Sequence, residues 1–300
     1  MNRLYSCLFL CCLSLTGCVN LRSVNVFGTA AVVSLQQRTT LPATFGGVYQ
    51  QRVQDDSLNR HPFNKIPLVG IDFADRVGQD SLRSYQLADT LTKNGTALLT
   101  NYFTALTKLS ATGSAFVPVQ LKSPTFEQFL QNSALKLKAE QVISFTRVVN
   151  LVGAAATGEY RQRQVASVLD QSYTDVRGLL DVLIFAHQRL ADVVDISREQ
   201  QYNYYKSVLI NDRTLTYSQK LDLARRWLQT ARSIEQTRQA VLTYVKSLNT
   251  MRTGYDVLYE KRKQLTRKET VAAIGTHVAT LQQLRTDLDQ LKPVYGRFNP

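Results

Sequence analysis

Apolar residues recur at three- and four-residue spacing through most of this chain, and helix-start signals mark several of the places where the pattern begins again. The first run predicts a helix over residues 24–58, bent at Pro42, whose ring removes a backbone hydrogen bond. A loop over 59–70 follows. The second helix is expected over 74–111, with Leu82, Tyr85, Leu91, Leu98, Tyr102 and Leu109 near one stripe. After another loop, 113–122, the pair Ser123-Pro124 opens a third helix, because a capping hydroxyl precedes a proline at the first helical position.

The third helix is read as stopping at Asp170-Gln171, since Ser172-Tyr173-Thr174-Asp175 has the form of a capping box. The fourth then runs to about residue 210 on Val176, Leu179, Leu180, Leu183, Leu190 and Val194. A second box, Thr216 with Gln219, opens a fifth helix whose stripe extends from Leu221 through Leu228, Ile234 and Val241 to Leu258. A third, Thr266 with Glu269, opens a sixth that carries Ile274, Val278, Leu281 and Leu288. Only 115–121 alternates loosely enough to suggest a strand. The expectation is an all-α, up-and-down bundle of about six long helices with partly coiled-coil packing. It forms one domain over 24–292, with an irregular tail over 293–300.

Charge adds one candidate surface. The chain carries 36 Lys and Arg against 23 Asp and Glu, a formal net charge of +13. The densest cluster is Lys261, Arg262 and Lys263 followed by Arg267 and Lys268, at the turn between the fifth and sixth helices. Counting helices from the N-terminus, with a break at 170–172, places that turn at the end of the bundle farthest from the chain's start. Arg60, Lys65, Arg161 and Arg163 are expected toward the same end. The resulting basic cap would meet an anionic envelope partner: a protein, peptidoglycan carboxylates or lipid head groups. The competing reading is a solvated face whose cations at the end of the fifth helix complement its dipole.

The cysteines locate the protein. All four lie in the first 18 residues, behind the basic start Met1-Asn2-Arg3 and within an apolar run of about 12 residues, too short to span a bilayer. The run ends in Leu15-Thr16-Gly17-Cys18, which resembles the lipobox of bacterial lipoproteins. The resemblance implies that 1–17 is a signal peptide, that Cys18 is acylated, and that 18–23 is a short tether to the bundle. Membership of that class also implies a bacterial envelope location, by default the outer membrane facing the periplasm. Cys7, Cys11 and Cys12 would leave with the signal, so no disulfide is expected and stability must come from packing.

Little points to catalysis. His61, His187 and His277 have no metal-type neighbours, and His187 and His277 fall on or beside apolar stripes as core or boundary residues. No metal or cofactor is expected. Ser133 and Lys136 match a Ser-x-x-Lys pair, but its Lys-Thr-Gly companion is missing, Arg252-Thr253-Gly254 being the nearest run, and the β-sheet is absent. Tyr202-Asn203-Tyr204-Tyr205 reads either as an aromatic platform or as rings packed along a helix. The apolar residues of the 59–73 loop are read as closing the bundle end. The expected function is therefore binding or scaffolding by a lipid-anchored, non-enzymatic helical protein. Alternatives are a peripheral membrane or lipid-handling protein with a basic face, and an enzyme with an unrecognised helical site. Nucleic acid is not an expected partner.

Overall fold

The computed structural model describes residues 21–60, 76–111 and 158–291, and the account below concerns those residues. They form an all-α bundle of six helices without a strand: α1 (Arg22–Gln36), α2 (Phe45–Arg60), α3 (Arg76–Ser110), α4 (Gly158–Asn211), α5 (Tyr217–Glu260) and α6 (Lys268–Leu291). Of the loop expected from residue 59, Asn59 and Arg60 are instead the last residues of α2, the helix continuing past the expected end at Leu58, and 61–73 lie outside the described residues, as do the loop over 113–122, the third helix before Gly158 and the tail from 293. None of the described helices is long and apolar enough to cross a membrane.

Long helices need their apolar stripes covered, and here each covers another. The large core joins α1, α3, α4, α5 and α6 through Phe27, Leu98, Phe103, Leu180, Leu248 and Leu281. The predicted stripe of α4 is buried from Val176 to Val194, as is that of α6 at Ile274, Val278, Leu281 and Leu288. Close approach of backbones is part of the packing. A Cβ on Gly28 would strike Thr107 across the α1–α3 crossing, and one on Gly254 would strike the ring of Phe27.

The first predicted helix is broken, not bent. A 3-10 turn, Gln37–Thr40, ends α1, and α2 begins at Phe45 after four non-helical residues. The break is held from outside: Asp89 of α3 accepts the backbone N–H of Phe45 and of Gly46, each at 2.8 Å. A carboxylate on the exposed amides of a helix start satisfies donors the helix itself leaves unpaired. Proline alone cannot supply that partner.

The break expected at 170–172 does not exist. α4 runs through it without interruption for 54 residues, about 81 Å at 1.5 Å per residue. Ser172 is fully buried and caps nothing. Its hydroxyl donates to the carbonyl of Val168 at 2.7 Å and lies 2.8 and 3.2 Å from the hydroxyls of Tyr102 and Tyr255. The two tyrosine oxygens are themselves 2.8 Å apart. Three hydroxyls thus satisfy one another in the core, and burial pushes the Tyr102 phenol up to about 12.

α4 and α5 form one antiparallel hairpin, paired from Tyr173–Tyr259 through Arg177–Asp256, Asp181–Arg252 and His187–Tyr244 to Arg198–Glu235. The predicted capping box at its turn is present. The Gln219 N–H bonds the Thr216 hydroxyl, and the Thr216 N–H bonds the Gln219 side-chain oxygen. The outer part of this hairpin stands clear of the core. From Arg198 to Gln229 no residue is buried, so Leu221 and Leu228, expected in the apolar stripe of α5, are exposed at 40% and 55%. We call this part the arm; its tip is the turn 212–216.

Candidate functional site

α5 stops at Glu260 and two tight turns carry the chain into α6, with Gln264 N–H donating to the Lys261 carbonyl at 2.7 Å and Arg267 N–H to Gln264 at 3.0 Å. Leu265 lies between these turns and is fully buried, so it pins the basic segment to the end of the bundle like a plug. α6 then starts at Lys268, two residues after the threonine expected to cap it. Lys261, Lys263, Arg267 and Lys268 are all exposed and have no side-chain partner among the described residues.

Arg262 is different. Its guanidinium forms an ion pair with Asp170 of α4, donates to the Tyr259 carbonyl at 2.7 Å and lies 4.2 Å over the Tyr259 ring. It ties α4 to the end of α5 and is withdrawn from any external partner. Sequence spacing treats the three adjacent cations alike; only the neighbouring helix separates them.

The turn is also not where helix counting puts it. The Ser23 hydroxyl donates to the Leu265 carbonyl at 3.3 Å, and Asn25 donates to the Thr107 carbonyl near the end of α3 at 2.9 Å. Leu21, the first described residue, is buried in the same core. The basic turn therefore sits at the start of the bundle, not at its far end. Removing the false break at Ser172 reverses the direction of every later helix, which brings the 261–268 segment down beside α1. The exposed Lys108, next to Thr107, stands at the same end, and so do the exposed Glu260 and Glu269. Arg163 lies toward the same end. Lys65 lies outside the described residues, and the side chains of Arg60 and Arg161 are not described.

The opposite end is the tip of the arm, about 66 Å away along the 44 residues of α5. Asp212 accepts the Thr214 N–H at 2.8 Å and its hydroxyl at 2.6 Å, which stiffens the turn. Along the arm, Trp227 packs between Tyr202 and Tyr205, with ring centroids 5.7 and 5.5 Å away. The tyrosine run thus packs its rings against one another and against Trp227. An open groove of about 650 Å³ beside it is lined by Asp192, Ile196, Arg198, Glu199, Tyr202 and Trp227, among others.

The remaining candidates resolve into packing. His187 is buried, with Nδ1 2.8 Å from the Leu183 carbonyl and its ring edge on Tyr244, and burial lowers it to about 4. It is a satisfied core histidine. His277 is half-buried beside Thr253. Of the Arg252-Thr253-Gly254 run, Arg252 pairs with Asp181 at 2.7 Å and Gly254 makes room for Phe27. His61, Ser133 and Lys136 lie outside the described residues. Among the described residues no group of three His, Cys, Asp or Glu side chains is placed to hold a metal ion. No protein family, curated protein or solved structure matches the chain.

Proposed function

We propose that this chain is a lipid-anchored, non-enzymatic envelope protein that acts by binding or scaffolding, held at its basic end and presenting the arm to its partners. The observation that carries the reading is the contact of Ser23 with Leu265. That contact puts the start of α1 at the basic end, where Leu21 is buried, and the sequence has only residues 19 and 20 between it and the candidate lipidated Cys18. Three residues span at most ~10 Å. The arm then projects away from that end, with apolar and aromatic residues that the bundle leaves uncovered, among them Ile210 at 66% exposure and Tyr217 at 83%. Large contiguous apolar patches mark interaction sites, and these exposed residues are where the arm would offer one.

Two measurements test the reading. Cys18→Ala is expected to abolish incorporation of a fatty-acid label and to change membrane fractionation; retained labelling refutes the anchor. Photocrosslinkers at Leu228 and Ile210 are expected to give discrete adducts in cells that a crosslinker at Ala273 on α6, also exposed, does not. Equal yields from all three positions refute the arm as the binding element.

A further inference from the structure

We infer that the basic end of the bundle is a contact surface for anionic lipid head groups of the same membrane that holds the anchor, and that this contact sets the bundle upright. The inference rests on the anchoring reading for which way the membrane lies. The binding chemistry comes from the described residues.

Distance selects the partner. Ser23 touches Leu265, and Lys263 and Arg267 stand two residues to either side of it, within about 7 Å of chain. Cys18 reaches at most ~10 Å from Leu21. The exposed cations are therefore confined to within roughly 20 Å of the acyl chains, and a bilayer presents its phosphates within about 5–8 Å of them, in the nearer part of that reach. The head groups are thus the anionic surface nearest the cations, fixed there by the same anchor, whereas a peptidoglycan or protein partner has to be brought to them.

The charges are arranged for such a plane. Lys261, Lys263, Arg267, Lys268 and Lys108 come from three chain segments, the ends of α3 and α5 and the start of α6, so they spread across the end of the bundle. Four of them have free side chains on the turn that Leu265 fixes, while Arg262 holds the turn to α4. Cations near an anionic membrane surface act additively and lose their effect beyond a Debye length of about 8 Å at physiological salt. A basic end pressed on lipid gains this attraction, and a bundle lying on its side moves most of these charges out of range. Acyl chains supply affinity in any orientation; the basic end supplies the orientation.

The test uses the chain from residue 19 onward, which keeps every described contact and lacks the lipid, so its outcome is independent of whether Cys18 is acylated. At low salt it is expected to bind vesicles containing 30% phosphatidylglycerol at least tenfold more tightly than pure phosphatidylcholine vesicles. The fourfold variant K261E/K263E/R267E/K268E is expected to lose at least tenfold. A control with the same charge change at the other end, K206E/R213E/R226E/R232E, is expected to lose less than twofold. Equal binding to the two vesicle types overturns the inference, as does an equal loss in the two variants. Charge-dependent binding to purified peptidoglycan sacculi without vesicle binding also overturns it, in favour of a cell-wall partner. Loss of Cys18 labelling has no bearing on these vesicle results, so the two readings fail separately.

Discussion

The Ser23 hydroxyl donates to the carbonyl of Leu265 across 3.3 Å, joining residues 242 positions apart. This one bond closes the bundle end: the first helix and the turn into the last share a floor, with Leu265 plugged beneath. It also decides the membrane-facing geometry, because the basic side chains flank Leu265.

That relationship can be measured directly. Spin labels at V26C and K268C, in a chain whose native cysteines are replaced, are expected to lie roughly 20 Å apart, given helix axes about 8–10 Å apart plus label length. A separation of about 60 Å would restore the topology in which α4 breaks at residue 170.

The hydroxyl triangle of Tyr102, Ser172 and Tyr255 predicts non-additive stability. Tyr255→Phe removes one hydroxyl and its bonds to the other two, while Tyr102 and Ser172 stay bonded to each other, at a cost of about 0.5–1.5 kcal/mol. Adding Tyr102→Phe should cost much less than the single changes imply, because Ser172 still bonds Val168. Urea midpoints for the full double-mutant cycle check this; strict additivity would contradict a shared network.

His187 predicts a pH dependence. It is buried and neutral, and its folded-state value falls from the usual 6.5 to about 4, through burial first and then the nearby Arg38 cation, while the bond to the Leu183 carbonyl opposes this. Below 6.5 the unfolded chain takes up a proton that the folded chain refuses. Stability is therefore complete above pH 6.5 and is lost progressively down to about pH 4, by about 3 kcal/mol at most. Replacing His187 by Gln should flatten the melting temperature between pH 6.5 and 4.5 relative to the parent; an unchanged slope would assign the acid sensitivity to other groups.

Asp89 holds the start of α2 from a different helix. Asp89→Ala removes the acceptor for two amides at once and should cost about 1.5–3 kcal/mol, since charge-assisted bonds are lost. Hydrogen exchange should show Phe45 and Gly46 amides losing protection before those of α1. Uniform loss across the chain would mean that α2 is not separately held.

Gly254 predicts an overpacked variant. A side chain there meets the Phe27 ring and the Cβ of His277, so Gly254→Ala should destabilise by about 1–3 kcal/mol despite the better helix propensity of alanine. Phe27→Leu in the same chain should recover part of that loss. A stabilising Gly254→Ala would show that α1 moves aside at no cost.

Much of this molecule was legible in its residues taken alone. The helical period, the capping box at Thr216, the buried stripes of α4 and α6 and the absence of cysteine after residue 18 all follow from spacing and residue type. Each depends on neighbours a few positions away, and these the chain carries wherever it folds. The direction of the basic turn could not be read that way. Ser172-Tyr173-Thr174-Asp175 has a helix-start pattern, yet its serine hydroxyl finds Val168 one turn back and two tyrosines from other helices, so the helix continues. Arg262 differs from Lys261 and Lys263 only because Asp170 and Tyr259 meet it. The choice of a polar group's partner is made across the fold. Here it decided which end of the bundle carries the charge.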